Sequence, residues 1–319
     1  MTRLRCAILD DYQNVALTLG DWSALADRIE ITVFDKPFAS ADEAAAALKD
    51  FEIICAMRER TPFPRAMFEA LPKLKLLITS GMRNAAIDFE AAKARGITVC
   101  GTAMVGNPTA GLTIGLMLEL TRKIGFENAR MKAGKPWQVT VGEDIEGKTL
   151  GIIGLGKLGS QVAGIARALG MKTIAWSTNL TPEACEKAGV TYATKEELFA
   201  QADIITIHLV LSDRSRGLVS RVDLARMKPT AYLINTARGP IVDEVALLET
   251  LQAGKIAGAG IDTYSHEPLP LDSPLRKLDN VVITPHLGYV TAENYKRIYA
   301  EMIEGIGGWL NSAPVRKLN

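Results

Sequence analysis

Short apolar runs alternate with helical patterns along nearly the whole chain, and this alternation limits the possible folds more than any other feature of the sequence. Continuous apolar strands separated by helices are typical of parallel sheets, because the helices then cover both faces of each sheet. The sequence therefore predicts an α/β fold with doubly wound parallel sheets. The first series of predicted strands spans residues 4–9, 31–34, 52–56, 74–79 and 97–100.

A second α/β series follows a long apolar helix that we predict over residues 108–122. A complete dinucleotide-binding sheet has six strands with helices between them, and this series has the same number. A final amphipathic helix is predicted over residues 291–310. The predicted strands of the second series are residues 150–153, 173–176, 204–209, 231–235, 258–261 and 281–284.

A glycine-rich loop connects the first strand of the second series to a helix, and residues 154–159 read Gly-Leu-Gly-Lys-Leu-Gly. In this context Gly154 permits a tight turn, Gly156 lets the backbone approach a pyrophosphate, and Gly159 lets the helix pack closely on the strand. The helix N-terminus, at Lys157 and Leu158, supplies N–H groups and partial positive charge to phosphates. The loop therefore predicts a bound dinucleotide; the alternative is a glycine-rich turn without a ligand.

The second strand of this series is followed by Ser177, Thr178 and Asn179. An acidic residue commonly stands here and binds the ribose hydroxyls of NAD, whereas a nearby arginine accommodates the 2′-phosphate of NADP. This segment contains neither residue type, and Ser177 removes the carboxylate that would repel a 2′-phosphate. The choice between NAD and NADP therefore stays open.

The chain has three histidines. His286 follows the last predicted strand, at the edge where an open α/β sheet places its ligand, so we interpret it as a general acid–base. The alternative is a solvated loop residue. His208 ends another strand at the same edge, and we expect it to line the cofactor site or to have a structural role. His266 lies in a proline-rich loop and is predicted at the surface.

Arg238 and Glu267 follow two other strands of the same series. Arg238 lies in a Gly/Pro turn, and its planar guanidinium suits a carboxylate, although a solvated surface arginine is the alternative. Glu267 could act as a carboxylate near a histidine, which fixes the tautomer of the ring and favours its charged form. Taken alone, Glu267 would not be assigned a function.

Four motifs occur in a specific order. They are Gly-Lys-Thr-Leu-Gly-Ile-Ile-Gly-Leu-Gly-Lys-Leu-Gly at 147–159, Asn-Thr-Ala-Arg-Gly-Pro-Ile-Val-Asp at 235–243, Gly-Ile-Asp at 260–262 leading to Glu267-Pro268, and Thr-Pro-His at 284–286. With these motifs the sequence resembles the D-isomer-specific 2-hydroxyacid dehydrogenase family. The resemblance covers essentially the whole chain.

The resemblance implies a discontinuous domain organisation. Residues 1–101 plus 290–319 would form a smaller, flavodoxin-like substrate domain, and residues 102–289 would form a Rossmann dinucleotide-binding domain. It also implies a catalytic trio of Arg238, Glu267 and His286. Asp262 is expected to face the nicotinamide amide, and Ala237 is assigned to the cofactor site beside Arg238. Because members of the family are usually dimers joined through the nucleotide domain, a homodimer is expected.

The loop of the first domain departs from the usual family pattern Gly-x-Gly-x-Asp-Asn-x-Asp. Residues 81–88 read Gly-Met-Arg-Asn-Ala-Ala-Ile-Asp, so Arg83 replaces the second glycine. We expect Gly81, Met82 and Arg83 to contribute to substrate binding; the alternative for Arg83 is an orientation towards solvent. Gly111 stands where the following helix usually has a glutamate.

Charge and cysteine content limit the possible partners. Lysine and arginine (37) nearly balance aspartate and glutamate (36), which favours a small-molecule partner over nucleic acid or a membrane. The four cysteines are scattered, so we predict buried free thiols and neither a disulfide framework nor a metal site. The first residues lack the pattern of a signal peptide, and a cytoplasmic location is expected.

These features together predict an oxidoreductase that transfers a hydride between NAD(P)H and C2 of a small 2-oxo or 2-hydroxy acid, with the D-isomer expected. Arg238 would bind the carboxylate, His286 would donate the proton, and Glu267 would keep His286 protonated and oriented. A glyoxylate or hydroxypyruvate reductase is the preferred type. The alternative is a dinucleotide-sensing binding protein, similar to the transcriptional corepressors of the family.

Overall fold

The structure is a computed structural model that describes residues 3–319. The chain divides into two compact units, which we call unit 1 (Met1–Gly106 with Val290–Asn319) and unit 2 (Asn107–Tyr289). Over the described residues, each unit is built around one parallel sheet, with five strands in unit 1 and seven in unit 2. The predicted α/β fold class with two parallel-sheet domains is confirmed.

The sheet of unit 1 has the strand order β2-β1-β3-β4-β5, which is the flavodoxin-like order. Its strands are β1 (Leu4–Ile8), β2 (Ile29–Val33), β3 (Ile53–Ala56), β4 (Leu76–Thr79) and β5 (Thr98–Gly101). Its helices are α1 (Ala16–Leu19), α2 (Ala41–Leu48), α3 (Arg65–Ala70), α4 (Phe89–Ala94) and, from the far end of the chain, α12 (Ala292–Leu310).

Helix α12 belongs to unit 1 although about 190 residues separate it from β5 in sequence. The Thr291 side chain caps its first turn by accepting a hydrogen bond from the N–H of Asn294. One face of the helix is buried in unit 1 and includes Tyr295 and Tyr299. The buried carboxylate of Glu301 also accepts the N–H of Ala103, which fixes the segment after β5 against the helix.

The sheet of unit 2 has the strand order β8-β7-β6-β9-β10-β11-β12, the Rossmann arrangement with one further strand at the edge. Its strands are β6 (Thr149–Ile153), β7 (Lys172–Trp176), β8 (Thr191–Tyr192), β9 (Ile204–Ile207), β10 (Tyr232–Asn235), β11 (Gly258–Ile261) and β12 (Val281–Ile283). Its helices are α5 (Pro108–Arg122), α6 (Ile124–Lys132), α7 (Lys157–Ala168), α8 (Pro182–Lys187), α9 (Lys195–Gln201), α10 (Arg221–Arg226) and α11 (Glu244–Gln252).

The inner strands of unit 2 read as apolar runs because helices cover both faces of the sheet. Ile153 and Leu233 lie in the hydrophobic core on one face. Ile152 and Ile234, their chain neighbours, lie in the core on the other face.

Two elements of unit 2 differ from the sequence prediction. The prediction of six strands was wrong, because the two-residue strand β8 is a seventh; both of its residues are exposed, so it lacks an apolar run. Helix α6 lies between α5 and β6, where we predicted no helix or strand. Each of its nine residues stays at least partly exposed, so no apolar periodicity marks it.

All four cysteines are buried and free, as predicted. Across residues 3–319, no helix combines the length and the apolar composition needed to cross a lipid bilayer. In unit 2 the parallel strands end at one edge of the sheet, so the residues that follow them come together there. These residues are Gly154, Ser177, His208, Arg238, Asp262 and His286.

Candidate active site

Glu267 and His286 form a direct hydrogen-bonded pair. His286 Nδ1 lies 2.6 Å from Glu267 Oε2. Because an ionised carboxylate only accepts hydrogen bonds, the hydrogen of this bond is on Nδ1. His286 Nε2 has no hydrogen-bond partner among residues 3–319. The pair therefore fixes one ring nitrogen and leaves the other free for proton transfer.

Glu267 is held in its ionised form. Burial raises the pKa of this carboxyl, but the hydrogen bond and the charge of His286, the N–H of Tyr264 and the charge of Arg238 together outweigh burial. The net effect is a pKa below the usual value for glutamate. The three predicted catalytic residues thus act on one another electrostatically: Arg238 and His286 both favour the negative charge of Glu267.

The loop that carries His286 is held from several sides. His286 itself has a φ angle of +54°, a left-handed conformation that is uncommon outside glycine. Its ring meets the ring of Tyr289 edge-to-face, with centroids 5.5 Å apart. The backbone N–H of His286 donates to the carbonyl oxygen of Thr284. These contacts keep the imidazole in one orientation.

Asp262 is hydrogen-bonded to the same loop at three points. Its carboxylate accepts hydrogen bonds from the Thr284 hydroxyl at 2.6 Å and from the N–H groups of Leu287 and Gly288 at 2.7 and 2.9 Å. Asp262 is fully buried; burial raises the pKa of its carboxyl, and the three hydrogen bonds partly offset this effect. Its observed partners are thus all in the His286 loop.

Arg238 is positioned by a turn that Asn235 stabilises. The side chain of Asn235 accepts the N–H of Ala237 and donates to the carbonyl oxygen of Arg238, both at 3.0 Å. The guanidinium of Arg238 donates to the carbonyl oxygen of Ala237 at 2.7 Å. The next residue is Gly239, where a Cβ atom would overlap the backbone of Tyr264. The arginine turn therefore packs directly on the segment that leads to Glu267.

The glycine-rich loop has the geometry of a phosphate-binding turn. Gly154 has a φ angle of +98°, and a Cβ there would lie 2.7 Å from the carbonyl oxygen of His208. A Cβ on Gly159 would overlap the carbonyl oxygen of Gly154, so α7 can pack on the strand only with glycine at this position. At Gly156, by contrast, a Cβ would meet open space. This space lies at the N-terminus of α7, where the N–H groups of Lys157 and Leu158 have no acceptor within the helix.

His208 leaves one polar atom unsatisfied at this edge. Its Nε2 lies 3.1 Å from the Thr206 hydroxyl, whereas its Nδ1 is buried and has no partner among the described residues. Burial lowers the pKa of His208 to about 4, so its ring is neutral near pH 7. An unsatisfied ring nitrogen beside a glycine loop with open space fits a bound dinucleotide.

Comparison with known proteins identifies the family. The model described as "D-isomer specific 2-hydroxyacid dehydrogenase, NAD binding domain" matches residues 114–288, more than half of the 319 residues. The chain belongs to the D-isomer-specific 2-hydroxyacid dehydrogenase family.

Individual members of the family are similar over the full length of the chain. A hydroxypyruvate reductase of Blautia hydrogenotrophica is 31% identical over 99% of this chain and 100% of that protein. A hydroxypyruvate reductase of Thermotoga maritima is 37% identical over 96% of this chain and 98% of that protein. The crystal structure of a phosphoglycerate oxidoreductase from Vibrio cholerae has a TM-score of 0.91 at 34% identity, covering 97% of this chain and 100% of that one.

Membership confirms that the protein is an enzyme, a dehydrogenase of 2-hydroxy acids with a nicotinamide cofactor. The cofactor prediction of NAD or NADP agrees with the family. Ser177 follows β7 as predicted and is partly exposed, with exposed Thr178 and Asn179 beside it. The relatives named above are enzymes, so they give no support to the binding-protein alternative.

In this dehydrogenase the loop from Gly81 to Arg83 follows β4 in unit 1. Gly81 has a φ angle of +93°, and its N–H already donates to the Thr102 hydroxyl at 3.0 Å. The N–H groups of Met82 and Arg83 have no acceptor among residues 3–319, and both side chains are exposed. Arg58, which the sequence analysis did not single out, places its guanidinium where a Cβ of Gly81 would lie. The loop therefore offers two backbone donors beside positive charge.

Two residues that shape the site around Glu267 and His286 were not predicted from the sequence. Asn235 stands at the end of β10, and an asparagine before a Gly/Pro turn is a recognisable signal for a side chain that caps the turn. Tyr264 contacts the loops of all three predicted catalytic residues, and its sequence position gives no such signal. His266 is exposed, in agreement with its predicted surface position.

Proposed function

We propose that this dehydrogenase reduces a small 2-oxo acid to the D-2-hydroxy acid, with His286 as the proton donor. The observation that carries the proposal is the 2.6 Å bond between His286 Nδ1 and Glu267, together with the free Nε2 of the same ring. A carboxylate on one nitrogen and an open second nitrogen is the arrangement of an oriented general acid.

Each residue has a defined part in the reductive direction. When bound, the nicotinamide dinucleotide supplies the hydride that C2 of the substrate accepts. Arg238 binds the substrate carboxylate and stabilises the negative charge that develops on the carbonyl oxygen. His286 gives its Nε2 proton to that oxygen and becomes neutral, while the hydrogen on Nδ1 stays on the ring and is donated to Glu267. In the oxidative direction neutral His286 takes the hydroxyl proton.

The cofactor contacts are proposed for the carboxyl edge of the unit 2 sheet. Its glycine loop and the helix N-terminus would hold the pyrophosphate, and His208 would satisfy its free ring nitrogen on the cofactor. Asp262 still has acceptor capacity on Oδ2, which in this structure takes one hydrogen bond. The proposed set is Gly154, Gly156, Lys157, Leu158, Gly159, Ser177, His208, Ala237 and Asp262.

The substrate contacts proposed for unit 1 are Gly81, Met82 and Arg83. The unpaired N–H groups of Met82 and Arg83 suit a carboxylate, and the exposed side chain of Arg83 adds a positive charge. We accordingly assign unit 1 to substrate binding and unit 2 to nucleotide binding. The match of the NAD-binding family model to residues 114–288 supports the second assignment.

Hydroxypyruvate and glyoxylate are the proposed substrates, and the two hydroxypyruvate reductases named above support the first of them. The test measures oxidation of NADH and of NADPH by the purified enzyme with glyoxylate, hydroxypyruvate and pyruvate, and identifies the product enantiomer. Reactions without a 2-oxo acid are the control. We expect turnover to the D-product with at least one acid. No turnover with either cofactor would favour a binding protein.

We also propose a homodimer formed through unit 2. Helix α6 and the segment after it expose a series of apolar side chains, among them Phe126 (50% exposed), Trp137 (72%) and Val141 (97%). An apolar surface of this kind is typical of a protein interface. Light scattering should give about twice the mass of one chain, and the double variant Phe126→Glu/Val141→Glu should be monomeric. Leu271→Glu, at an exposed apolar residue elsewhere in unit 2, should remain a dimer; a monomeric wild type would contradict the proposal.

A further inference from the structure

Tyr264 is a buried tyrosine whose hydrogen bonds reach two different loops of the active site. The side chain lies in a hydrophobic core of unit 2 and is 7% exposed. Its hydroxyl lies 3.0 Å from the carbonyl oxygen of Ile261 and 2.9 Å from that of Thr284. The hydroxyl has a single hydrogen, which these two carbonyl oxygens share, so it links the end of β11 to the residue after β12.

The contact with Thr284 acts on His286 through a shared atom. The Thr284 carbonyl oxygen accepts the Tyr264 hydroxyl and also the backbone N–H of His286, at 2.9 and 3.0 Å. His286 adopts a left-handed backbone conformation, which persists only where the surrounding structure holds it. The Tyr264 hydroxyl fixes the acceptor on which this conformation depends.

The backbone of Tyr264 acts on the other partner of the pair. Its N–H donates to Glu267 Oε1 at 2.9 Å, while Glu267 Oε2 accepts from His286. Each carboxylate oxygen thus has one donor, and Tyr264 provides one of them. The same backbone lies so close to Gly239, the residue after Arg238, that a Cβ atom there would overlap it.

From these contacts we infer that Tyr264 is a positioning residue that sets the geometry between Glu267 and His286. The inference rests on the proposed role of that pair. One residue anchors the carboxylate through its N–H and the histidine loop through its hydroxyl. Loss of the Tyr264 hydroxyl should make the geometry between Glu267 and His286 less well defined, although both residues are still present.

The test is Tyr264→Phe, which removes one oxygen atom. Loss of one buried hydrogen bond predicts a decrease in reductive kcat of about 3- to 10-fold, with the Kd of NADH unchanged. The pH at which reductive kcat/KM falls to half should also decrease, because a looser pair favours the protonated ring less. Within the described residues of unit 2, Glu267 is hydrogen-bonded to His286, Asp262 interacts with it electrostatically and Tyr289 meets its ring, while Arg238 acts on Glu267.

Tyr232→Phe is the matched control. Tyr232 is also a buried tyrosine of unit 2, 6% exposed, and its hydroxyl donates to Glu143 at 2.8 Å. It makes none of the loop contacts described above, so the same atomic change should lower stability and leave the pH profile in place. A shift of equal size in both variants would overturn the inference.

A double-mutant cycle separates positioning from a general structural effect. In the Glu267→Gln background, Tyr264→Phe should lower kcat by less than 2-fold, since its effect passes through the pair. Full additivity would contradict the inference.

Should Tyr264→Phe fail to fold, Gly239→Ala provides a second perturbation, because the added Cβ displaces the Tyr264 backbone. An unchanged pH profile in Gly239→Ala would also contradict the inference. If His286→Ala keeps full activity, the proposed function fails; if it is inactive while the Tyr264→Phe profile does not move, only this inference fails.

Discussion

Replacing Glu267 by glutamine probes the pair at the centre of the site. The substitution keeps the shape of the side chain and removes its charge. It also leaves one acceptor oxygen where the structure has two, each with its own donor: the N–H of Tyr264 and Nδ1–H of His286. The single oxygen of the amide can accept from only one of these two donors. The interaction with His286 therefore loses its charge and competes with the N–H of Tyr264 for the same acceptor.

The size of the effect follows from the 2.6 Å distance between Nδ1 and Oε2, which is typical of a charge-assisted hydrogen bond. Such bonds contribute about 1.5–3 kcal/mol and neutral ones about 0.5–1.5 kcal/mol, and the middles of these ranges differ by about 1.2 kcal/mol. This free energy corresponds to about one pH unit. Because reduction needs the protonated imidazole, the pH at which reductive kcat/KM falls to half should decrease by about one unit.

The assay is the pH profile of kcat/KM for 2-oxo acid reduction in wild type and Glu267→Gln, with oxidation of the hydroxy acid measured in parallel. Since the pKa of Glu267 lies below the usual value for a glutamate, its carboxyl is ionised in the wild type around neutral pH, where the profile is measured. Oxidation needs neutral His286, so its rise with pH should shift in the same direction as the fall of reduction.

Glu244→Gln is the control for this experiment. The Glu244 carboxylate accepts the N–H of Ser265 at 2.9 Å, in the same loop that carries Glu267, and its described hydrogen bond does not involve His286. Its pH profile should match that of the wild type. Identical profiles for wild type and Glu267→Gln would refute the pairing, and an equal shift in Glu244→Gln would attribute the effect to the loop instead.

Three further predictions address the other proposed roles. Arg238→Lys keeps the charge but loses the planar donor pair, so it should not restore the activity lost in Arg238→Ala. Both variants should raise KM and lower kcat with little change in the Kd of NADH, whereas a loss of NADH binding alone would mean that Arg238 does not bind the substrate. Ser177→Asp should raise the ratio of kcat/KM with NADH to kcat/KM with NADPH by about one to two decades, because ribose hydrogen bonds to the new carboxylate contribute about 1.5–3 kcal/mol. An unchanged ratio would mean that Ser177 does not face the ribose. The pKa of His208 is about 4 in the folded protein against an ordinary value of 6.5, so the unfolded chain takes up a proton first as pH falls through this range. In urea denaturation, the free energy of unfolding should therefore decrease between neutral pH and pH 4 by roughly 3 kcal/mol more in the wild type than in His208→Gln. Equal decreases would contradict a His208 ring that is kept neutral in the folded protein.

The sequence was sufficient for those parts of the fold that burial controls. The inner strands of both sheets are buried on two faces, so they appear as continuous apolar runs whose helical connections define a parallel sheet. Strand β8 and helix α6 escaped prediction because they bury little or nothing. Hydrophobic pattern reports on burial, and an exposed element provides no such pattern.

The sequence was also sufficient to place Arg238, Glu267 and His286 at one edge of a sheet, because each follows a strand of the same parallel series. It did not contain the contacts that depend on loop conformation. The N–H of Gly81 is already used by Thr102, and Tyr264 connects loops that are separate in sequence. Such contacts arise only when the backbone of each loop is known, since no residue type or spacing specifies them.

His286→Ala tests the central claim most directly. The measurement is the single-turnover rate of 2-oxo acid reduction, with NADH binding followed in the same samples by fluorescence. We predict a loss of about two to four decades in rate with the Kd of NADH unchanged, since the variant removes the proton donor and keeps the proposed nucleotide contacts. A variant that reduces the acid at the wild-type rate would contradict the assignment of His286 as the general acid.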